Sequence, residues 1–264
     1  MSRTRTHLLA LLLASVTVVA GACGGPAGSS TAASTSAPTS PDASTTSIAP
    51  DATPSAAAVA DDGESPASPV VVARTAAAVE VFAAPGDATP VQTLPATTEF
   101  GSARALLVES AVDGWLEVLL PTRPNGSTGW IRLDGMDLHT VDHEVVVDLT
   151  ARTLTVLDAG VVVLETPIAV GSDESPTPTG RFSVVDKLDT GAADGPYGPF
   201  AFGLSGHSDV ITEFAGGDGQ IGIHGTNDPS SIGQAVSHGC VRVPNDVAAT
   251  LNDLLPLGTP VTIL

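Results

Sequence analysis

Gly222-Ile223-His224-Gly225-Thr226-Asn227 and, a few residues on, Val236-Ser237-His238-Gly239-Cys240-Val241-Arg242 decide how this chain is read. The second stretch holds the only cysteine outside the N-terminal segment. One histidine lies two residues before it and another sixteen before it. A free thiol most often packs as a small hydrophobe. Here the neighbours are Ser237, His238 and Arg242, and Gly239 frees the backbone for a turn with exposed N–H groups. A thiol and an imidazole are the minimal set for thiolate catalysis: the ring takes the proton and the sulfur attacks a carbonyl. Nucleophile, buried structural residue and metal ligand are the three readings of Cys240. The polar setting favours the first. The metal reading is the poorest, since no second Cys/His pair stands at zinc-ligand spacing.

Ile223-His224-Gly225-Thr226-Asn227 followed by Ser237-His238-Gly239-Cys240-Val241-Arg242 resembles the signature of the L,D-transpeptidase catalytic domain of bacterial cell walls. Pro176-Thr177-Pro178-Thr179-Gly180-Arg181-Phe182 resembles a turn of the same family, and the likeness covers about Glu144 to Leu264. The resemblance implies that Cys240 is the nucleophile and His224 the general base and acid. The residue after His224 is Gly225, so its orienting partner is a backbone carbonyl there, with the Asp228 side chain as the alternative. The N–H groups of Gly239 and Cys240 suit an oxyanion hole. Ser237, His238, Arg242, Tyr197 and His207 are candidate substrate contacts, Arg242 either through a carboxylate or in a structural ion pair.

The family likeness further implies peptidoglycan chemistry without metal or organic cofactor. The donor would be a tetrapeptide stem and the acceptor the side-chain amine of a diamino acid on another stem, giving a 3→3 cross-link. Carbapenem-type β-lactams would acylate the thiolate. Two other readings stay open. One is an L,D-carboxypeptidase or another wall thiol peptidase that passes the acyl group to water. The other is a non-catalytic wall-binding lipoprotein.

Ten Lys+Arg against 29 Asp+Glu give a net charge of −19, which disfavours nucleic acid and anionic lipid surfaces as partners. Residues 1–23 read as a secretory signal: Arg3 and Arg5 precede an apolar run of 13 residues, Leu8 to Ala20. That run is too short for a membrane span, which needs about 20 residues. Ala20-Gly21-Ala22-Cys23 resembles a lipobox, with Ala20 where Leu is preferred, so Cys23 is the expected lipidation site. The expected location is the outer face of the cell membrane, or full secretion if Cys23 stays free. With Cys23 acylated and Cys240 reactive, no disulfide is expected. Residues 24–69 are rich in Ser, Thr, Ala and Pro and lack Lys and Arg. They cannot offset their ordering entropy and read as a disordered tether.

The remainder reads as mostly β. Residues 70–140 hold short strands, both tryptophans and an Asn125-Gly126 hairpin signal, and resemble a small SH3-like barrel. Trp115 and Trp130 would pack in its core or line a groove. Residues 143–264 read as the β-rich catalytic domain, with a meander from Glu144 to Val170. A polar loop is expected over Gly171–Gly180 and a long glycine-rich functional loop over Gly191–Gly219. One short C-terminal helix follows from Asn245, taken as its N-cap, to Leu255.

Overall fold

The computed structural model describes residues 70–213 and 217–264. The expected signal segment with Cys23 and the expected tether over residues 24–69 lie outside the described residues. The protein is mostly β, with one α-helix among the described residues.

The first strands are β1 (Val70–Arg74), β2 (Val79–Val81), β3 (Gln92–Leu94), β4 (Ala105–Val112), β5 (Trp115–Leu119), β6 (Thr128–Arg132) and β7 (Asp137–Val141). Five form an antiparallel sheet in the order β6-β5-β4-β1-β7, and β2 pairs with β3. Alternating apolar residues supply a small core of Val79, Val81, Leu106, Val118 and Ile131. Asp113 and Gly114 both have positive φ, the backbone a two-residue hairpin between twisted strands requires. Trp115 and Trp130 are half-buried. Trp115 meets Phe82 edge to face at 5.1 Å, with the Arg132 guanidinium 4.6 Å from the indole centroid.

The second set is β8 (His143–Asp148), β9 (Thr153–Asp158), β10 (Val161–Pro167), β11 (Val170–Gly171), β12 (Gly180–Asp189), β13 (Phe200–His207), β14 (Gln220–His224), β15 (Ala235–Ser237) and β16 (Val241–Arg242). The helix α1 (Asn245–Leu254) and β17 (Pro260–Ile263) complete it. Eight strands form one sheet, ordered β10-β9-β8-β17-β12-β13-β14-β16. The expected meander is present: β8, β9 and β10 pair antiparallel, and Ala159-Gly160 turns with positive φ at both residues. Ala248 and Leu251 of α1 are buried in the same core as Phe182, Phe202, Leu204 and Ile223.

The structure corrects four expectations. The segment 191–219 is not one long loop, because β13 runs through it between β12 and β14. Its glycines serve close packing: a Cβ on Gly206 would lie 2.4 Å from the Phe182 ring. The segment 171–180 is not wholly a surface loop, since Ser175, Thr177 and Pro178 are buried and the Thr177 hydroxyl accepts the Gly171 N–H at 2.9 Å. Asn245 is not the N-cap of α1; Pro244 holds that place and Asn245 begins the helix. Asn125-Gly126 does not form a two-residue hairpin, since only Gly126 has positive φ and the β5–β6 connection runs from 120 to 127.

Asn125 is used elsewhere. Its Oδ1 accepts the His207 N–H at 2.9 Å and its Nδ2 donates to the His207 carbonyl at 2.7 Å. One side chain thus satisfies the backbone at the end of β13 as a neighbouring strand would. Arg123 donates to the carbonyls of Ser208 at 2.7 Å and Asp218 at 3.0 Å. Arg181 pairs with Glu109 at 3.1 Å, and Arg74 donates to the Leu257 carbonyl at 2.9 Å. The seam between the two sheets thus combines side chains bound to backbone, one ion pair and the apolar packing of Leu257 against the cluster that holds Val72 and Leu107.

Gly206→Ala tests the packing reading of β13. Phe182 is 1% exposed, so its ring has no free space to retreat into. Overpacking of this kind costs about 1–3 kcal/mol. The expected outcome is a melting temperature lowered by roughly 3–10 °C relative to the unsubstituted protein, measured by calorimetry.

Candidate active site

The fifteen residues between His224 and Cys240 are closed by a parallel strand pair. Ile223 lies opposite Val241 and His224 opposite Arg242. Gly222, Ile223 and His224 alternate across the sheet: Ile223 enters the core, while Gly222 and His224 face the other way. Cys240 precedes Val241 and so sits beside Gly222, whose backbone hydrogen-bonds the thiol. The connection between the two strands contains a short 3-10 turn, Pro229–Ser231.

His224 is buried, 5% exposed. Its Nδ1 meets the Gly225 carbonyl at 2.5 Å, so Nδ1 carries the proton and Nε2 is the basic nitrogen. The backbone carbonyl is thus the orienting partner. Asp228 is not: it is exposed and its carboxylate accepts the Ser230 hydroxyl at 2.5 Å. Burial pulls the His224 pKa down to about 4, with the Gly225 carbonyl opposing and Arg242 reinforcing the shift. Burial also pushes the Cys240 thiol up, against the Gly222 hydrogen bond and the Arg242 charge. Cys240 nonetheless keeps part of its surface accessible. The resting pair at neutral pH is therefore an uncharged thiol and an uncharged imidazole.

Tyr197 belongs to this group. Its ring meets His224 edge to face, centroids 4.8 Å apart, and it senses the Cys240 charge. It is carried there by a crowded contact that the sequence did not announce. Gly198 has φ +59, and a Cβ on it would come 2.7 Å from the Gly225 backbone. A Cβ on Gly225 would come 2.4 Å from Asn245 Oδ1. Asn245 Oδ1 accepts the Thr226 N–H at 2.7 Å and its Nδ2 donates to the Ala193 carbonyl at 3.3 Å. Asn245 therefore fastens the Tyr197 loop to the His224 strand, a role masked in the sequence by its resemblance to a helix cap.

Other candidates land differently. Ser237 is 2% exposed, accepts the Gly239 N–H at 3.1 Å and donates to the Cys240 carbonyl at 2.6 Å. Its hydroxyl shapes the turn and is not displayed to a substrate. Gly239 has φ +112, which only glycine adopts easily, but its N–H is directed at Ser237 in this state. His238 is exposed. Arg242 acts electrostatically on both His224 and Cys240 and is half-buried. His207 does not join the site: it ends β13 far from Ala201, the partner of His224, and its Nε2 is bound to Asp218 at 2.9 Å. No group of three or more His, Cys, Asp or Glu able to hold a metal occurs among the described residues.

Comparison with known proteins matches residues 142–263 to the YkuD family, described as the L,D-transpeptidase catalytic domain. A putative L,D-transpeptidase YkuD of Bacillus subtilis is 37% identical over 127 residues, covering 48% of this chain and 69% of that protein. A putative L,D-transpeptidase YqjB of Bacillus subtilis is 34% identical over 133 residues, covering 46% and 71%. Among solved structures, an Enterococcus faecium L,D-transpeptidase is 27% identical over 47% of this chain and 50% of that one, with a TM-score of 0.36.

The depressed His224 pKa makes a stability prediction. As pH falls from about 6.5, the unfolded chain binds a proton at this residue and the folded one does not until about 4. Stability is therefore lost on acidification across that window, approaching about 3 kcal/mol for the full shift. His224→Asn should abolish this part of the acid sensitivity. Urea unfolding of both proteins at pH 7 and pH 4.5 checks it, the expected difference being a visibly shallower decline in the variant.

Proposed function

Because the chain belongs to the YkuD family of L,D-transpeptidases, we propose that it cross-links peptidoglycan stems through a thioester on Cys240. The single observation that carries the reading is the β14–β16 pairing, which seats an accessible thiol beside a buried, carbonyl-oriented imidazole. Cys240 Sγ attacks the carbonyl between the third residue of a tetrapeptide stem and its D-amino acid. The thiol proton passes to His224 Nε2 as the C–S bond forms, since no standing thiolate precedes the attack. The Cys240 N–H faces the developing oxyanion, and that of Gly239 joins it by leaving Ser237. His224 then returns the proton to the departing amine, and the thioester remains. The side-chain amine of a second stem's diamino acid attacks next, gives a proton to His224, and releases the 3→3 cross-link and the thiol.

Tyr197 closes one side of the imidazole and excludes water from it. Arg242 favours anionic sulfur and disfavours imidazolium, which supports transfer of the proton onward to the leaving group. His238, exposed at the turn, is assigned to substrate contact. Residues 70–140 form an SH3-like module in this reading. Cys23 carries lipid, and the 46 residues from Gly24 to Pro69 hold the enzyme among wall polymers outside the cell membrane.

Intact-protein mass spectrometry after mixing with a carbapenem tests the nucleophile. The expected result is a mass gain of one drug molecule in the native protein and none in Cys240→Ala. His224→Ala should retain the fold and slow acylation by at least about a hundredfold. Incubation with a disaccharide tetrapeptide should yield a dimer with loss of the D-amino acid. A hydrolysed tripeptide as sole product would assign the enzyme to carboxypeptidase chemistry.

A further inference from the structure

Arg104, in the connection that leads into β4, and Asp186, on β12, are buried opposite charges that line one pocket. They are 6% and 1% exposed. The Asp186 charge acts on Arg104, yet the two form no ion pair. The ion pairs among the described residues are His139–Asp137, Arg181–Glu109 and His207–Asp218. Neutral groups hold each charge in place. Arg104 Nε donates to the Pro95 carbonyl at 3.0 Å and Nη2 to the Thr97 carbonyl at 3.2 Å. Asp186 accepts the Thr98 hydroxyl and, at 3.4 Å, Gln220 Nε2. These bonds hold the two side chains in place while each keeps its charge turned to the same pocket.

Arg104 and Asp186 line a solvent-open pocket of about 220 Å³ together with Thr98, His207 and two further carboxylates, Glu99 and Asp218, the last already held by His207 Nε2. It equals roughly seven water volumes, enough for a small amino acid. His207 adds a second polar demand: its Nδ1 is buried and has no hydrogen-bond partner. A molecule carrying both charges on one carbon would neutralise each wall.

The cavity is in line with the thiol. Cys240 lies beside Gly222, Gly222 is opposite Gly203, and Gly203 is opposite Asp186. Adjacent strands are about 4.8 Å apart, so Asp186 is about 14 Å from the Cys240 backbone across the sheet. Gly222 and Gly203 are both partly exposed and leave this track without side chains. A Cβ on Gly203 would press to 3.0 Å from both Asp186 Oδ2 and Gln220 Nε2.

We propose that the cavity between the two sheets binds an amino-acid zwitterion, carboxylate to Arg104 and ammonium to Asp186, as the subsite for the charged end of the substrate processed at Cys240. The subsite assignment rests on the function proposed above; binding of the zwitterion does not. It also gives the N-terminal residues a part in substrate selection, since Arg104 and Thr98 come from the β3–β4 connection.

The test uses full-length protein carrying Cys240→Ala, titrated with D-alanine by calorimetry and by NMR. The expected result is millimolar binding that shifts the Gly203 and Gly222 amides. Propionate and ethylamine, each with one of the two charges, should bind at least tenfold more weakly. Arg104→Gln and Asp186→Asn should each weaken D-alanine at least tenfold; the amide shifts in the otherwise unsubstituted cavity decide the matter if either variant fails to fold. With Cys240 restored, D-alanine should compete with a tetrapeptide stem. No binding, or propionate binding as tightly as D-alanine, would overturn the zwitterion site. Binding that is not competitive with the stem would overturn its assignment as a substrate subsite. If D-alanine binds to a protein that forms no carbapenem adduct, the function fails and the site stands.

Discussion

Everything chemical in this protein depends on two residue pairs of parallel backbone, Ile223 with Val241 and His224 with Arg242. A parallel pair cannot be closed by a tight turn, so the chain must cross over between its members. Here the crossover is short and is braced at its base. The Ile168 carbonyl takes the Gly233 N–H at 2.9 Å, and β11 pairs in parallel with β15. The thiol and the imidazole are thus set by sheet register, a constraint far stiffer than side-chain rotamers. Shifting that register by one residue would turn His224 into the core and Ile223 out of it.

The same burial that fixes the pair also tunes it. A dry imidazole with its Nδ1 proton given to a carbonyl is a poor cation and a permanently available acceptor. A dry thiol is a poor anion. Burial thus disfavours the charged form of each group. Arg242 lies near enough to both groups to bias the charges once they form.

The sequence made the centre of the site legible because its chemistry needs particular residue types at particular places. Cys240, His224 and the Gly225 carbonyl were identified from the residues and from family likeness. The β meander was legible through alternation and through Ala159-Gly160. What was hidden shares one physical character: side chains whose partner is distant backbone. Asn245 looked like a cap and is a clasp for Thr226 and Ala193. Asn125 looked like a hairpin turn and completes the end of β13. Ser237 looked like a substrate contact and is spent within its own turn. Glycines 203 and 206 looked like loop and are strand, because neighbouring side chains occupy the space a Cβ would take. Local pattern reports the conformations a residue tolerates; it does not report which remote group will need its hydrogen bonds or its absence of volume.

The seam between the sheets follows the same logic at larger scale. Part of the junction is apolar, where Leu257 packs against the cluster that holds Val72 and Leu107. Beside it Arg123 and Asn125 bind the backbone around β13 and β14, and Arg104 and Asp186 are carried into the junction without meeting. Neutral groups of the β3–β4 connection and of β14 hold each of the two charges by hydrogen bonds. The N-terminal sheet thereby shares a wall with the catalytic strands, and a change in that wall reaches Cys240 through the two glycines of the intervening strands. If the proposed subsite holds, severing the N-terminal residues from β12 would remove one wall of that pocket.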